Sequence, residues 1–324
     1  MNAVIDALPR FRLLDGPSPL GRLARLEAEL GGRVELWIKR EDLLPLAFGG
    51  NKLRNLEFLV GAALAEGADT LVTSGRRWSN HCRLTAAAGA RAGLAVQLVL
   101  SGPPAPDAVG PRLDALLGAE VTQLATADRE EREAAVAAIA ARLRASGHVP
   151  YVIPVGGSGL PGAVGQVLAA AELLGQMGAQ PPGLIVLPSA TGGTQAGLLA
   201  GLRAGGSNAE VLGILVARTE PELRPVIEGT LAALGAMAGA WVKPAEIQLD
   251  DAQLGGGYGV PSVAATASTS LLARTEGILV DPVYTAKALA ALIEGVRSRR
   301  WDGRRVVFWH AGGTPGLFEP LSVA

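Results

Sequence analysis

A chain of 324 residues with one cysteine, three histidines and 4% aromatic residues is short of several kinds of chemistry. Cys82 has no second cysteine to pair with, so no internal disulfide forms, and three histidines supply no cluster with zinc-ligand spacing. The first residues, MNAVIDALPRFRLLDGPSP, lack a basic start followed by an apolar core. No apolar run approaches the roughly 18 to 20 residues that span a bilayer. An excess of either charge is missing too: 29 basic against 30 acidic side chains leave a formal net of -1, so no global field draws the chain to nucleic acid or to an anionic membrane. The expectation is a cytoplasmic protein that uses no metal and whose partner is a small molecule.

What is present is an ordinary soluble composition, 49% hydrophobic and 18% charged, punctuated by 43 glycines and 21 prolines. Short β-rich runs alternate with longer Ala/Leu-rich stretches of helical period. Strands are predicted at 36–39, 70–73, 96–100, 121–124, 150–153, 184–187, 211–216 and 306–309. Helical patterns lie at 51–66, 80–92, 129–145, 163–177, 194–203 and 285–299. Such alternation argues for an α/β fold of mostly parallel sheets flanked by helices. The glycine- and proline-rich breaks suggest a small domain, residues 48–159, inserted into a larger one formed by 1–47 and 160–324.

Several stretches carry chemistry. In AFGGNKLRNLEF, from residue 47, two glycines give way to Asn51, Lys52 and a helix. A lysine in a first helical turn faces the positive end of the macrodipole, which favours loss of its proton, and a neutral amine is what Schiff-base chemistry requires. The ordinary alternative is a solvated surface lysine; the adjacent glycines, which let backbone approach a ligand, weigh against it. In VLPSATGGTQAGLLAGL, from residue 186, a strand turns through Thr191, Gly192, Gly193 and Thr194 into a helix, a geometry suited to cradling a phosphate. It is neither the Rossmann fingerprint nor a P-loop.

In TSGRRWSNHCRL, from residue 73, Ser79, Asn80 and His81 enter a helix after a strand. Ser79 reads as an N-cap, and its place at the carboxyl end of a strand makes a substrate contact compatible with that. In the carboxyl-terminal half, GGGYGVP and DPVYTAKALAAL put Tyr258 and Tyr284, two of only three tyrosines, in loops framed by glycine or proline. Gly312 and Gly313, after the strand ending at His310, mark another close backbone approach.

Taken in order from about Pro17 to Phe318, GGNKLR, SNH, the GGT loop, GGGYG, EGILVDPVYTAKA and HAGGTPGLF resemble the D-cysteine desulfhydrase and 1-aminocyclopropane-1-carboxylate deaminase family of fold-type-II pyridoxal-phosphate (PLP) enzymes. The resemblance implies a large and a small domain with PLP between them, and usually a homodimer. It implies that Lys52 carries the cofactor and moves the α-proton. Asn80, beside Asn51, would contact the cofactor ring oxygen, residues 191–194 would hold its phosphate, and Ser79 would meet the substrate carboxylate. Tyr258 and Tyr284 would flank the substrate side chain. The implied reaction releases pyruvate and ammonia from a small β-substituted amino acid.

The chain departs from the family pattern in two places. The deaminases read glutamate after the second tyrosine, near the pyridine nitrogen; here Thr285 stands there, as in the desulfhydrase branch, and Thr285 or Thr314 is the expected partner. Before Ser79, relatives carry an apolar residue and glutamine, whereas this chain reads Arg76, Arg77, Trp78. With His81, these residues suggest a substrate-binding surface, and paired guanidinium groups would suit a second anion such as the sulfonate of cysteate. The arginines facing solvent or a partner subunit is the equally weighted alternative. A PLP-binding protein without turnover and a nucleotide-binding α/β module are the readings from other classes.

Overall fold

A computed structural model describes residues 2–239 and 242–321. In chain order its strands are β1 (Leu20–Arg22), β2 (Glu35–Arg40), β3 (Thr70–Arg76), β4 (Ala95–Ser101), β5 (Glu120–Leu124), β6 (Pro150–Val152), β7 (Leu184–Ser189), β8 (Glu210–Leu215), β9 (Gln248–Asp250) and β10 (Arg305–His310). Its helices are α1 (Asn2–Asp6), α2 (Ala24–Glu29), α3 (Lys52–Ala65), α4 (Asn80–Ala92), α5 (Val109–Leu116), α6 (Arg129–Ala145), α7 (Gly162–Met177), α8 (Gly193–Ala204), α9 (Glu220–Ala238), α10 (Val263–Glu276) and α11 (Thr285–Arg297). The strands form two sheets. One runs β1-β2-β10-β7-β8-β9, parallel except for β1; the other runs β5-β4-β3-β6 and is parallel throughout.

All eight strands expected from the sequence are present, and the mixed α/β class with parallel sheets stands. Their continuous apolar runs follow from helices covering both faces: in β7, five of the six residues are buried. The strands of the second sheet all fall between residues 70 and 152. Helix α3 lies along the seam. Its Leu53, Leu56 and Leu59 pack with Leu71 and Leu98 of the small sheet, while Phe58 joins the core beneath α7 and α8.

Two strands and five helices were not expected. The largest is α9, where Pro221, Pro225 and several glycines disguise a helix. Its start was nevertheless written in the sequence: Thr219 accepts from the backbone of Glu222, whose carboxylate takes the Thr219 N–H at 2.8 Å, a capping box. Strands β1 and β9 are three-residue edge strands, too short for an alternation to register.

The seam is fastened by charge. Arg54 on α3 donates to Glu41 Oε2 at 2.7 Å and to Glu172 Oε2 of α7 at 2.9 Å, and Ser18 Oγ donates to Glu41 Oε1 at 2.6 Å. Lys39 at the end of β2 joins Glu172 from the other side. Four segments distant in sequence thus share one network with every member satisfied, which is what makes buried charge tolerable. Arg54→Met would strand Glu41 in the interior without its partner. The expected loss is about 3–5 kcal/mol in urea denaturation; unchanged stability would show that the network contributes nothing.

Candidate active site

The cleft lies where the carboxyl ends of the two sheets face each other, the usual ligand position in open α/β folds. Its volume is about 420 Å³, and it brings Lys52, Ser79, Asn80, His81, Thr191, Thr194, Tyr258 and Tyr284 onto one surface.

Lys52 is placed by an unusual turn. Leu46, Ala47 and Phe48 have φ values of 69°, 45° and 65°, and Gly49 and Gly50 follow at 64° and 133°. Three consecutive non-glycine residues in the left-handed region cost about 1–2 kcal/mol each. At Gly49 no side chain fits, since a Cβ would lie 2.3 Å from the Asp42 carbonyl oxygen. Two contacts hold the turn. Asn51 N donates to Ala311 O at 3.0 Å, and the buried Arg83 guanidinium donates to the carbonyls of Ala47 and Gly49. Lys52 is then the first residue of α3, and among the described residues it has no hydrogen-bond or ion-pair partner. Burial pulls its amine down to about 8.

The neighbours divide the work. The Asn51 amide donates to Thr194 Oγ1 at 2.8 Å, tying the lysine turn to α8. Asn80 Oδ1 accepts from Arg83 Nη2 at 3.0 Å, so the arginine that steadies the turn also orients this amide. Ser79 caps α4 by accepting from Cys82 N at 3.2 Å, and its own hydroxyl proton is left to give. His81 Nε2 lies 3.0 Å from Thr73 Oγ1, whose proton goes to Ile153 O at 2.9 Å. The ring therefore donates from Nε2 and keeps a buried lone pair on Nδ1 with no partner. Burial, with the Lys52 charge adding to it, holds the imidazole at about 3, so it is neutral.

Across the cleft, Gly192 at φ 77° turns β7 into α8. The first bond into this helix runs from Ala196 N to Gly192 O, which leaves the N–H groups of Gly193, Thr194 and Gln195 unused. Gly192 has no room for a side chain, because a Cβ would meet Ile227 Cγ1 at 2.6 Å, and at Gly193 one would press on Ser158 at 3.2 Å. The hydroxyl oxygens of Ser158 and Ser189 are buried beside this turn without partners. Opposite, the Tyr258 and Tyr284 hydroxyls are hydrogen-bonded to each other, and burial pushes both phenols up, so both keep their protons.

Four of the anticipated residues sit elsewhere. Trp78 does not line the cleft: it packs edge-on to Tyr258 at 5.7 Å and against Gly259, where a Cβ would lie 2.2 Å from Trp78 Cζ2. Arg77 stacks over Trp78 and donates to Pro320 O at 3.3 Å, away from the cleft, and it is Arg76 that faces inward. The Thr285 hydroxyl gives its one proton to Asp281 Oδ1 at 2.6 Å and is fully buried, and Thr314 also stands outside the lining. Sequence reasoning missed Asp281, which accepts from the backbone N–H groups of residues 283–285 and so fixes Tyr284 at the start of α11. The Asp-Pro pair ahead of a helical run was its signal. It also missed Arg83, Arg132 and Arg218, which nothing in local pattern distinguishes from surface arginines.

The model of the family described as pyridoxal-phosphate dependent enzyme matches residues 11–312. The chain belongs to this family. It is 43% identical to the D-cysteine desulfhydrase of Salmonella typhi over 325 aligned positions that cover 97% of each protein, and equally to that of Salmonella newport. Among solved structures, one titled as an ACC deaminase homologue superposes with a TM-score of 0.91 at 32% identity, covering 97% of this chain and 94% of that one. The processed form of threonine deaminase isoform 2 from Solanum lycopersicum, at 17% identity and a TM-score of 0.69 over 96% of this chain and 83% of that one, shares the fold.

The residues present fit this family's cofactor. An unpaired amine of lowered pKa, a glycine turn with three free N–H groups, and two orphaned serine hydroxyls provide for an aldehyde and a phosphate. Lys52 would hold PLP, Asn51 and Asn80 would border it, and residues 191–194 would take the phosphate.

Two outcomes are expected. Only the unprotonated amine attacks an aldehyde, and its fraction rises as pH increases through the pKa. The rate at which cofactor-stripped protein takes up PLP, followed by stopped-flow absorbance, should therefore climb with a midpoint near 8 and level off above it; a rate still climbing beyond about pH 10 would place the lysine in an ordinary environment. Gly193→Val should weaken PLP binding by more than about tenfold in equilibrium dialysis, since a β-branched side chain crowds both Ser158 and the phosphate approach. Equal affinity would take the phosphate from this turn.

Proposed function

We propose that this enzyme eliminates the β-substituent of a small amino acid, D-cysteine or a close analogue, releasing pyruvate and ammonia. Bound PLP would supply an electron sink for the pair left when the α-proton departs. Lys52 Nζ, unprotonated above about pH 8, would take that proton. The free N–H groups at the start of α4 and the Ser79 hydroxyl would orient the substrate carboxylate. The Tyr258 and Tyr284 hydroxyls, paired and protonated, would border the leaving group and offer it a proton.

The observation that carries elimination over cyclopropane opening concerns carboxylates. Among the described residues the one carboxylate lining the cleft is Glu222, and it is spent on the backbone and hydroxyl of Thr219. Position 285, glutamate in the deaminases, holds a threonine that already donates to Asp281. No strong acid is free there to hold a proton on the pyridine nitrogen, a need that is slight when the β-group leaves readily. The reading includes a cytoplasmic homodimer, which rests on the family resemblance; sedimentation at twice 33.1 kDa would fit it.

Pyruvate release assayed on D-cysteine, L-cysteine, β-chloroalanine and 1-aminocyclopropane-1-carboxylate tests the reading. Turnover of D-cysteine and β-chloroalanine without opening of the ring is expected; the reverse preference would overturn it. Lys52→Ala should lower turnover by at least about a thousandfold and remove the borohydride-reducible adduct, because the α-proton loses its base. A variant with normal turnover would exclude this lysine from the chemistry.

A further inference from the structure

Three guanidinium groups line the cleft without a carboxylate partner among the described residues: Arg76, Arg132 and Arg218. They form one arc. Arg76 Nε lies close to Gly102, where a Cβ would meet it at 3.5 Å, and Arg132 Nη1 donates to Ser101 Oγ, the preceding residue, at 3.3 Å. Arg218 approaches from the β8–α9 loop, on the other sheet. Burial lowers its pKa, and the neighbouring charges of Arg129 and Arg132 lower it further. The acids at hand are committed, Glu133 to Arg129 at 2.7 Å and Glu222 to Thr219. The Nε atoms of Arg76 and Arg132 are both buried with no hydrogen-bond partner.

Like charges assembled in a half-enclosed cleft repel one another, and orphaned N–H donors add a desolvation cost. An anion between them removes both penalties. The anions of the proposed reaction are provided for elsewhere: the cofactor phosphate at the start of α8, the substrate α-carboxylate at the start of α4. Arg76 also reaches the place where the side chain of the substrate would lie. Its guanidinium carbon is 6.0 Å from the centre of the Tyr258 ring and 5.3 Å from that of Trp78, whose electron-rich faces hold the planar group toward the cleft.

We infer that this arc binds a second anionic group on the substrate, so that the preferred amino acid carries a tetrahedral oxyanion, sulfonate or phosphate, on its β-carbon. The inference rests on the elimination reading and names its substrate class. The step balances without an oxidant. Lys52 Nζ takes the α-proton, and the bond from the β-carbon to sulfur or oxygen breaks, its electron pair leaving with sulfite or phosphate. With one water the remainder becomes pyruvate and ammonium.

Ligands that cannot react separate binding from turnover. In calorimetric titrations of the holoenzyme, 3-sulfopropanoate and 3-phosphonopropanoate are expected to bind about tenfold to a hundredfold more tightly than propanoate, one charge-assisted contact being the difference. The tighter of the two tells sulfonate from phosphate. Arg76→Gln and Arg218→Gln, which alter opposite walls, should each collapse the ratio toward one; melting temperature and cofactor absorbance report that each variant is folded and loaded. Equal binding of dianion and monoanion by the unaltered enzyme, or a ratio preserved in both variants, would overturn the inference. Absence of pyruvate from every amino acid, with the ratio intact, would sink the elimination reading and leave the anion site standing.

Discussion

The active site depends on a backbone that L-amino acids resist. Residues 46–49 run through the left-handed region, and nothing intrinsic to Leu46, Ala47 or Phe48 favours it. Arg83 supplies the compensation. From the first turns of α4 it donates to the carbonyls of Ala47 and Gly49 and to the side chain of Asn80. A guanidinium suits this because its donors are fixed in one plane, so three acceptors are set relative to each other. Burial lowers the Arg83 pKa to about 10, which still leaves it charged at neutral pH. One side chain therefore couples the entry angle of α3, and with it Lys52, to Asn80 in the wall of the cleft.

Around that fixed lysine, burial shifts the acid–base groups of the cleft toward their neutral forms. Lys52 is lowered to about 8, His81 to about 3, and the two tyrosines are raised, all chiefly by burial. The same desolvation that costs stability brings the Lys52 amine toward neutral pH, where it can exchange a proton, and keeps His81 and the two phenols uncharged there. Besides Lys52 and the buried Arg83, the positive charge of the cleft comes from Arg76, Arg129, Arg132 and Arg218 in its lining. These cations favour the entry of anions, and Lys52 has no counter-ion among the described residues to hold its proton.

The parts written locally were legible. Alternating strands and helices, the glycine turn before Lys52, the turn at residues 191–194 and the Ser79 cap all express short-range rules of sterics and hydrogen bonding. Reading failed where those rules conflict, as in α9, whose prolines obscured a capping box at Thr219, and at the three-residue edge strands. It also left direction open. Arg76 and Arg77 are adjacent, and alternation along a strand sends neighbours to opposite sides; β3 ends at Arg76, which turns inward, while Arg77 stacks over Trp78 toward Pro320.

The sequence by itself determined the fold class, which follows from the alternation of strand and helix patterns along the chain, and the cofactor, which follows from the family resemblance of motifs in order along it. Only the tertiary structure decided which residues share the cleft. Thr285 is drawn away by Asp281, Trp78 becomes a support for Tyr258, and Arg132 and Arg218 arrive from elements far along the chain from Arg76 to line the same cleft. The physical reason is that site composition depends on how two sheets pack end to end, and a side chain's partner across that seam leaves no trace in its own neighbourhood of the chain.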